Sequence, residues 1–255
     1  MHFIRSFALT TSLVALSSAA FAQASAPVTK ADIPALVKEA IMNDPEMIMQ
    51  ALEKLRAQKA EEAKKEAQAA LEKNKAAIFN NPDLPASGAS AKDADLTIAE
   101  FFDYHCGYCK HFVPELVKVM DGDKKLRVVF IDLPILSEDS ATAARAAIAV
   151  NRIDKTKYFA FHTALMKETG KFDEAKLIEV VKKLGIKESA LKTEMAKPEV
   201  TAILDKNREL AKDLGVNGTP GIIIGSEVIP GALSSDELKK YIATARQIQS
   251  GAAKK

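Results

Sequence analysis

One stretch of the chain limits its possible folds more than any other. An apolar segment, residues 96–102, leads into two cysteines that have two residues between them, Cys106 and Cys109. A helical pattern of apolar residues follows, and residues 126–133 form the next apolar run. Strands that are apolar on both faces are typical of a buried parallel sheet. The order therefore predicts a βαβ unit in which the cysteine pair opens the helix.

The N-terminus predicts export of the protein. Arg5 precedes an apolar segment, residues 7–16, and small residues follow, with a small-x-small pattern at residues 20–22. This order is that of a secretory signal peptide, which we expect to span residues 1–22 and to be cleaved. An uncleaved anchor is the alternative, but it needs about 20 apolar residues, and serine and threonine interrupt this run.

Net charge and cysteine usage limit the partners and the chemistry. The 255 residues carry a formal net charge of +2, which is too small to favour nucleic acid or an anionic membrane. The two cysteines close only a tiny loop, so a disulfide between them removes little entropy from the unfolded chain. In an exported protein such a pair suits redox chemistry better than structural bridging.

A helical arm, residues 23–79, is predicted to precede the βαβ unit. After a short polar leader, helical spacing begins near Asp32, and Asp44 and Pro45 suit the start of a second helix. This helix carries an apolar stripe and then a tract of Ala, Glu, Lys and Gln at residues 57–77, which we interpret as a solvated helix. Because the stripe must be covered, we expect the arm to form a homo-oligomer. Folding back onto the chain's own domain is the alternative.

The rest of the chain predicts one α/β domain. Residues 80–95 are rich in Pro, Ser, Gly and Asp and are interpreted as a linker, with the domain at residues 96–250 and a tail at residues 251–255. Residues 137–214 show helical patterns only, and strands return at residues 221–229 before a last helix. The predicted fold is a sheet with a helical insertion.

The two cysteines have different expected roles. A thiol attacks only as its thiolate, and the free N–H groups and dipole of a helix start favour an anion at Cys106. Cys106 is therefore predicted to attack, and Cys109, one turn further on and more buried, to resolve the mixed disulfide. His105 and His111 are candidate cations near the thiolate, with a plain surface position as the alternative.

Glu100 lies among apolar neighbours in the first predicted strand of the domain. Burial of a lone carboxylate raises its pKa, so the group can stay protonated and exchange protons with a buried thiol. Exposure at a sheet edge is the alternative.

Thr219 and Pro220 form the third candidate feature. They follow the turn residues Asn217 and Gly218 and stand directly before a predicted strand. A proline at a strand start lacks an N–H donor, and this setting is compatible with a cis bond, although most X-Pro bonds are trans.

Together these motifs resemble the DsbA-like branch of the thioredoxin superfamily. They are CGYC after EFFDYH, the helical insertion, and VNGTPG before the closing strands. The preceding arm is similar to that of the periplasmic ScsC-like and Com-type proteins. The resemblance implies a thioredoxin fold with a helical insertion, in which Cys106 and Cys109 are the redox pair and Glu100 is the proton-relay acid.

The same resemblance implies a substrate-binding loop and a cellular setting. The bond between Thr219 and Pro220 would be cis and would face the disulfide, and backbone groups of Thr219 would pair with the substrate as an added strand. The implied partners are proteins with thiols or disulfides and a membrane-bound redox protein. The implied location is the periplasm, and no cofactor is implied.

The direction of the reaction depends on residues around the cysteines. Strong oxidants of the family resemble CPHC with valine before the cis-proline, whereas this chain has Gly107, Tyr108 and Thr219. With His105 as a further tuning residue, we expect an isomerase or reductase. A dithiol oxidase is the alternative.

Two other classes of function stay open from the sequence. His105, Cys106, Cys109 and His111 offer soft ligands for copper or zinc, although a closed structural zinc site needs a second pair; we expect no resident metal. The other class is a cell-envelope structural protein or surface antigen with an inert domain. Such a scaffold has no need of a thiolate at a helix start.

Overall fold

A computed structural model describes residues 28–251 of the chain. The predicted signal peptide, the first residues of the predicted arm and most of the predicted tail lie outside the described residues. The contacts divide the chain into two compact units, whose described parts are residues 28–56 and residues 57–251.

Residues 28–56 contain helix α1 (Ile33–Asn43) and the first part of helix α2 (Glu46–Phe79). The predicted break between the two helices is confirmed. Neither α1 nor this part of α2 has a buried residue. Ten large apolar side chains are exposed: Val28, Ile33, Leu36, Val37, Met42, Met47, Ile48, Met49, Leu52 and Leu55.

Residues 57–251 are built on a five-stranded sheet with the order β1-β3-β2-β4-β5. The strands are β1 (Ala86–Gly88), β2 (Leu96–Phe102), β3 (Leu126–Asp132), β4 (Gly221–Ile224) and β5 (Glu227–Pro230). Strands β2 and β3 are parallel, and the other pairs are antiparallel. This confirms the predicted βαβ unit and places β2 at the centre of the sheet.

Strand β1 lies within the segment that the sequence analysis interprets as a linker. It pairs with β3, with Ala86 opposite Val129, and the preceding Leu84 is buried. The residues around it are Pro, Ser, Gly and Asp, which favour turns, and three residues are too few to show alternation. A fifth strand is therefore added by tertiary packing rather than by local preference.

Seven helices in this unit surround the sheet or form the insertion. Helix α3 (Gly107–Gly122) connects β2 to β3, and α9 (Ser235–Gln249) follows β5. The predicted capping box of α9, Ser234 with Glu237, is present. The insertion is wholly helical, as predicted, and consists of α4 (Glu138–Ile153), a 3-10 turn (Lys155–Lys157), α5 (Tyr158–Lys167), α6 (Glu174–Lys183), α7 (Glu188–Met195) and α8 (Pro198–Asp213).

The two faces of the sheet bury different cores. Ile98, Phe102 and Phe130 belong to the core that includes α3, α9 and the insertion. On the other face, Phe101 and neighbouring residues pack with Leu71, Ile78, Ala211 and Leu214. The end of α2 thus belongs to the domain, whereas the sequence analysis assigned the whole helix to the arm. Two buried residues in a tract of Ala, Glu and Lys leave too thin a stripe to be recognised.

No helix within residues 28–251 is both long enough and apolar enough to span a membrane.

Candidate functional site

The two cysteines lie at the N-terminus of α3, where the chain leaves the central strand. Cys106 is the N-cap residue, and its sulfur accepts a hydrogen bond from the backbone N–H of Cys109 at 3.3 Å. Both are free thiols; Cys106 is 5% exposed and Cys109 0% exposed. A sulfur that accepts from the first turn of a helix is where negative charge is favoured. The geometry therefore gives Cys106, and not Cys109, the setting of an attacking thiolate.

Cys109 is held in its protonated form. Burial is the main cause that raises the pKa of its thiol far above the ordinary value, and the negative charge of Glu100 adds to it. A thiol of this kind attacks only when a neighbouring group takes its proton. Cys109 thus has the properties that a resolving cysteine needs.

Glu100 lies on β2 behind the cysteines and is buried. Neither of its carboxyl oxygens has a hydrogen-bond partner among the described residues. Burial, and after it the charge of Cys106, raises the pKa of Glu100 to about 8. Because β2 is flanked by β3 and β4, the alternative of an exposed edge position is wrong. A carboxyl group with this pKa exchanges protons near neutral pH, within electrostatic reach of both sulfurs.

The loop before β4 faces the cysteines. The bond between Thr219 and Pro220 is cis, which confirms the prediction. The thiol of Cys106 donates to the backbone carbonyl of Thr219 at 3.1 Å, across a sequence separation of 113 residues. Pro220 is buried and Thr219 half-buried. The loop therefore borders the Cys106 sulfur.

The predicted tuning residues are in different environments. Gly107 and Tyr108 are exposed, and His105 is half-buried with its ring 4.6 Å from the ring of Phe172. His111 is exposed. Within the described residues, no three His, Cys, Asp or Glu side chains lie together as a metal-binding group.

Asp103 is a residue of the site that the sequence analysis did not identify. Its carboxylate is buried and accepts from the backbone N–H of His105 at 2.7 Å. It also accepts from the N–H groups of Ile135 and Leu136 at 2.9 and 3.1 Å, and from the hydroxyl of Ser140 at 2.7 Å. Two segments that are distant in sequence, residues 103–105 and residues 135–140, therefore meet at one carboxylate, three residues before Cys106. Nothing local in the sequence marks this contact.

A second group of buried polar side chains lies on the same face of the sheet as Glu100. Burial raises the pKa of Asp132, and it lowers the pKa of His162 to about 3. The hydroxyl of Tyr104 lies 3.3 Å from Nδ1 of His162. Charge on Asp132 or Glu100 would raise the pKa of Tyr104 and of Tyr158 further. Burial therefore favours the neutral form of each of these groups, as it does for Glu100.

Two family models match the chain. Residues 97–243 match the model described as a DSBA-like thioredoxin domain. Residues 30–62 match the model described as the copper resistance protein ScsC N-terminal domain.

Individual proteins show the same likeness. Disulfide bond formation protein D of Bacillus subtilis is 25% identical over 177 residues, which are 65% of this chain and 80% of the relative. A thioredoxin-like oxidoreductase from Silicibacter pomeroyi DSS-3 is 37% identical, with a TM-score of 0.64, over 68% of this chain and 98% of that one. ScsC of Proteus mirabilis, in a transitional conformation, is 31% identical with a TM-score of 0.64, over 85% of this chain and 96% of that one.

Proposed function

Because this chain belongs to the family of thiol-disulfide oxidoreductases with a DSBA-like thioredoxin domain, we propose that it exchanges disulfides with other proteins through Cys106 and Cys109. The proposal rests above all on one observation. The Cys106 sulfur caps α3 and borders the carbonyl of Thr219, while Cys109 is buried next to a proton acceptor, Glu100. This is the division of labour that a two-cysteine exchange requires.

The first step is attack by Cys106. Its thiolate attacks one sulfur of a substrate disulfide, the bond from Cys106 to that sulfur forms, and the other substrate sulfur leaves with the electron pair as a thiolate. The N–H of Cys109 donates to the attacking sulfur before the step. In this proposal the backbone of Thr219, whose carbonyl lies 3.1 Å from the Cys106 sulfur, aligns an extended substrate chain.

The second step is resolution by Cys109. The thiol of Cys109 gives its proton to the carboxylate of Glu100 and attacks the sulfur of Cys106, so that the Cys106–Cys109 disulfide forms and the substrate leaves as a thiolate. Two electrons pass from the dithiol to the substrate. If the substrate's own thiolate attacks first, the disulfide is rearranged and the enzyme remains reduced.

We infer that rearrangement or reduction is the main activity, with net oxidation as the alternative. The strong oxidants of the family resemble CPHC with valine before the cis-proline, and this chain has Gly107, Tyr108 and Thr219 at those positions instead. The exposed apolar side chains of the arm support the same inference. An oligomer formed through the arm would place several active sites around one substrate, which suits isomerisation.

Two ribonuclease assays test whether the protein mainly rearranges and reduces disulfides or forms them. We expect reactivation of scrambled ribonuclease and little oxidation of reduced ribonuclease. The reverse pattern would make the protein an oxidase, and inactivity in both assays would favour an inert scaffold. Cys106→Ser should abolish either activity, whereas Cys109→Ser should accumulate mixed disulfides that a non-reducing gel resolves.

The arm is proposed to join copies of the chain. Residues 28–56 expose ten large apolar side chains, among them Leu52 and Leu55, and a pair of short helices has no core of its own to cover them. Light scattering after size exclusion should give a multiple of the chain mass, and Leu52→Lys with Leu55→Lys should lower it. Gln58→Lys, a matched change at an exposed position, should leave the mass unchanged; a monomeric wild type would refute the arm.

We further propose that residues 1–22 direct export, that the protein works in the periplasm, and that a membrane-bound protein supplies or removes its electrons. The mature N-terminus, sequenced from the periplasmic fraction, tests the first two points. An N-terminus at Met1, or recovery in the cytoplasmic fraction only, would contradict them.

A further inference from the structure

Several buried side chains behind the cysteines have polar atoms without a hydrogen-bond partner. Within residues 28–251 these atoms include both carboxyl oxygens of Glu100, both of Asp132, and Nε2 of His162. All three side chains are almost completely buried. Because buried polar groups are nearly always paired in folded proteins, each exception needs a physical reason. The mechanism proposed above supplies a reason for Glu100 and none for His162.

The register of the sheet brings these three side chains together. On β2 and β3, Glu100 lies opposite Phe130. Two residues further on, Phe102 lies opposite Asp132, and side chains two residues apart on a strand share a face. The ring of His162, from α5, lies 4.8 Å from the ring of Phe102 and 4.7 Å from that of Phe130. His162 therefore packs against the patch of the sheet that holds both carboxyl groups.

Tyr104 determines which nitrogen of His162 carries the proton. The hydroxyl of Tyr104 lies 3.3 Å from Nδ1 of His162. A phenol hydroxyl is a stronger donor than a neutral imidazole N–H, so we assign the hydroxyl as the donor and Nδ1 as the acceptor. In this tautomer the proton of the imidazole is on Nε2. His162 thus has a buried N–H donor on the side of the ring away from Tyr104.

The electrostatics of Tyr104 indicate which carboxyl group lies on that side. Burial raises the pKa of Tyr104 most, and after it the charge of Asp132 raises that pKa more than the charge of Glu100 does. Asp132 is therefore the carboxyl group on the Tyr104 side of His162. Glu100 is the carboxyl group on the Nε2 side.

We propose that His162 is a positioning residue for the resolving step, and that its Nε2–H donates to Glu100 when Glu100 is the carboxylate that accepts the proton of Cys109. Tyr104 assists by fixing the tautomer. The inference rests on the proposed function and adds two residues to its second step. A hydrogen bond made only to the charged form favours that form, so it offsets part of the cost of burying the carboxylate. His162 keeps its own proton throughout, and no electron passes through it.

The other titratable groups around Glu100 do not replace this donor. They are Cys106 and Cys109 on α3, Asp132 on β3, Tyr158 on α5, and Asp103 and Tyr104 after β2. Strand β4 has only glycine and isoleucine, and the buried residues of α9 are all apolar. Burial favours the neutral form of Asp132 and of both tyrosines, and in the mixed disulfide Cys106 has no thiolate. The pH dependence of resolution therefore reports on Glu100.

One reagent separates the two chemical steps. The probe is dithiobis(nitrobenzoate), a symmetric disulfide whose thiolate is coloured, mixed in equal amount with the reduced full-length protein. Attack by Cys106 releases the first coloured thiolate. Attack by Cys109 on the sulfur of Cys106, with its proton passing to Glu100, forms the protein disulfide and releases the second. Stopped-flow absorbance from pH 5 to 9 gives the rate constant of each phase and the midpoint of the second.

Variants assign the midpoint to the proposed hydrogen bond. His162→Phe should raise it by about one pH unit and slow the second phase about tenfold at pH 7, because the carboxylate loses a charge-assisted bond. The first phase should change by less than about twofold. Tyr104→Phe removes only the hydroxyl that fixes the tautomer and should raise the midpoint by less. His162→Gln keeps an N–H donor and should restore part of the shift.

Thr163→Val is the matched control. Thr163 is the next residue of α5, and its hydroxyl donates to the backbone carbonyl of Phe159 at 2.9 Å, so the change removes a polar group of the same helix outside the proposed contact. The profile of this variant should be that of the wild type.

Failure of this inference is distinguishable from failure of the proposed function. A purely structural role of His162 would slow the second phase equally at every pH, and an unchanged midpoint in His162→Phe overturns the inference. An equal shift in Thr163→Val also overturns it. If His162→Phe does not fold, an unchanged midpoint in Tyr104→Phe decides against the inference. A wild type that releases no coloured thiolate, or only the first, overturns the proposed function instead.

Discussion

The two units of the chain depart from the usual distribution of residues in opposite ways. Residues 28–56 expose apolar side chains that water disfavours, while residues 57–251 bury ionisable groups that water favours, including Glu100, Asp132 and His162. Each departure costs free energy in the isolated chain. The proposed function accounts for both departures: a second copy of the chain would cover the exposed apolar surface, and the buried carboxyl would exchange protons with Cys109.

The largest expected effect is that of the buried Glu100 on the free energy of unfolding. The pKa of Glu100 is raised from 4.5 to about 8 in the folded protein, so between these values the folded state retains a proton that the unfolded state has lost. The contribution of Glu100 to stability therefore falls as the pH rises, by up to about 1.4 kcal/mol per pH unit. In urea unfolding of the reduced protein from pH 5 to 8, the slope for the wild type should lie below that for Glu100→Gln by up to this amount, because Asp132 and His162 contribute equally to both proteins.

Glu209→Gln is the control for that experiment, since Glu209 is an exposed glutamate of the same unit. It should unfold with the slope of the wild type. Parallel curves for the wild type and Glu100→Gln would mean that Glu100 ionises normally and does not relay protons.

The next effect compares two leucines on one helix. Leu71 is 1% exposed and Leu52 is 40% exposed, and both belong to α2. Leu71→Ala should destabilise the domain by about 2–5 kcal/mol, and Leu52→Ala by less than about 0.5 kcal/mol. All four tyrosines lie in residues 57–251 and the chain has no tryptophan, so near-ultraviolet circular dichroism reports on that unit. Similar losses in both variants would contradict the division of α2.

The smallest expected effect concerns the charged part of α2 between Leu52 and Leu71. Lys59 and Glu62 form an ion pair at 2.9 Å with both side chains largely exposed. Because solvent screens such pairs, Glu62→Ala should change the free energy of unfolding by less than about 0.5 kcal/mol. Glu66→Ala, at an exposed position with no ion pair to the described residues, controls for helix propensity. A difference above about 1 kcal/mol between the two variants would show that the tract is not merely solvated.

Residues close together in sequence were predictable, and contacts between distant segments were not. The strand, the cysteine pair and the helix follow from local apolar patterns, and so do the helices of the insertion. The burial of Glu100 was predictable because all its neighbours are apolar. By contrast, the four donors to Asp103 come from residues up to 37 positions away from it, and only the folded domain brings them together.

Short or thin patterns were missed for a related reason. Strand β1 has three residues, which is too short for a period, and the end of α2 has only Leu71 and Ile78 as buried residues. His162 looks like an ordinary polar position of α5, and only the folded domain packs its ring against Phe102 and Phe130. Asp132 follows an apolar run, as Glu100 does, but its burial was not predicted. In each of these places tertiary packing decides the structure, and local preference is weak.

The helix cap at Cys106 also has an electrochemical consequence. The hydrogen bond from the Cys109 N–H to the Cys106 sulfur stabilises the dithiol state, and any contact that is stronger in the dithiol than in the disulfide makes the pair a better electron acceptor. For a two-electron couple, about 1.4 kcal/mol corresponds to about 30 mV. The first turn of α3 therefore contributes to the reduction potential of the cysteine pair. A change in its capping geometry shifts that potential without any change to the cysteines.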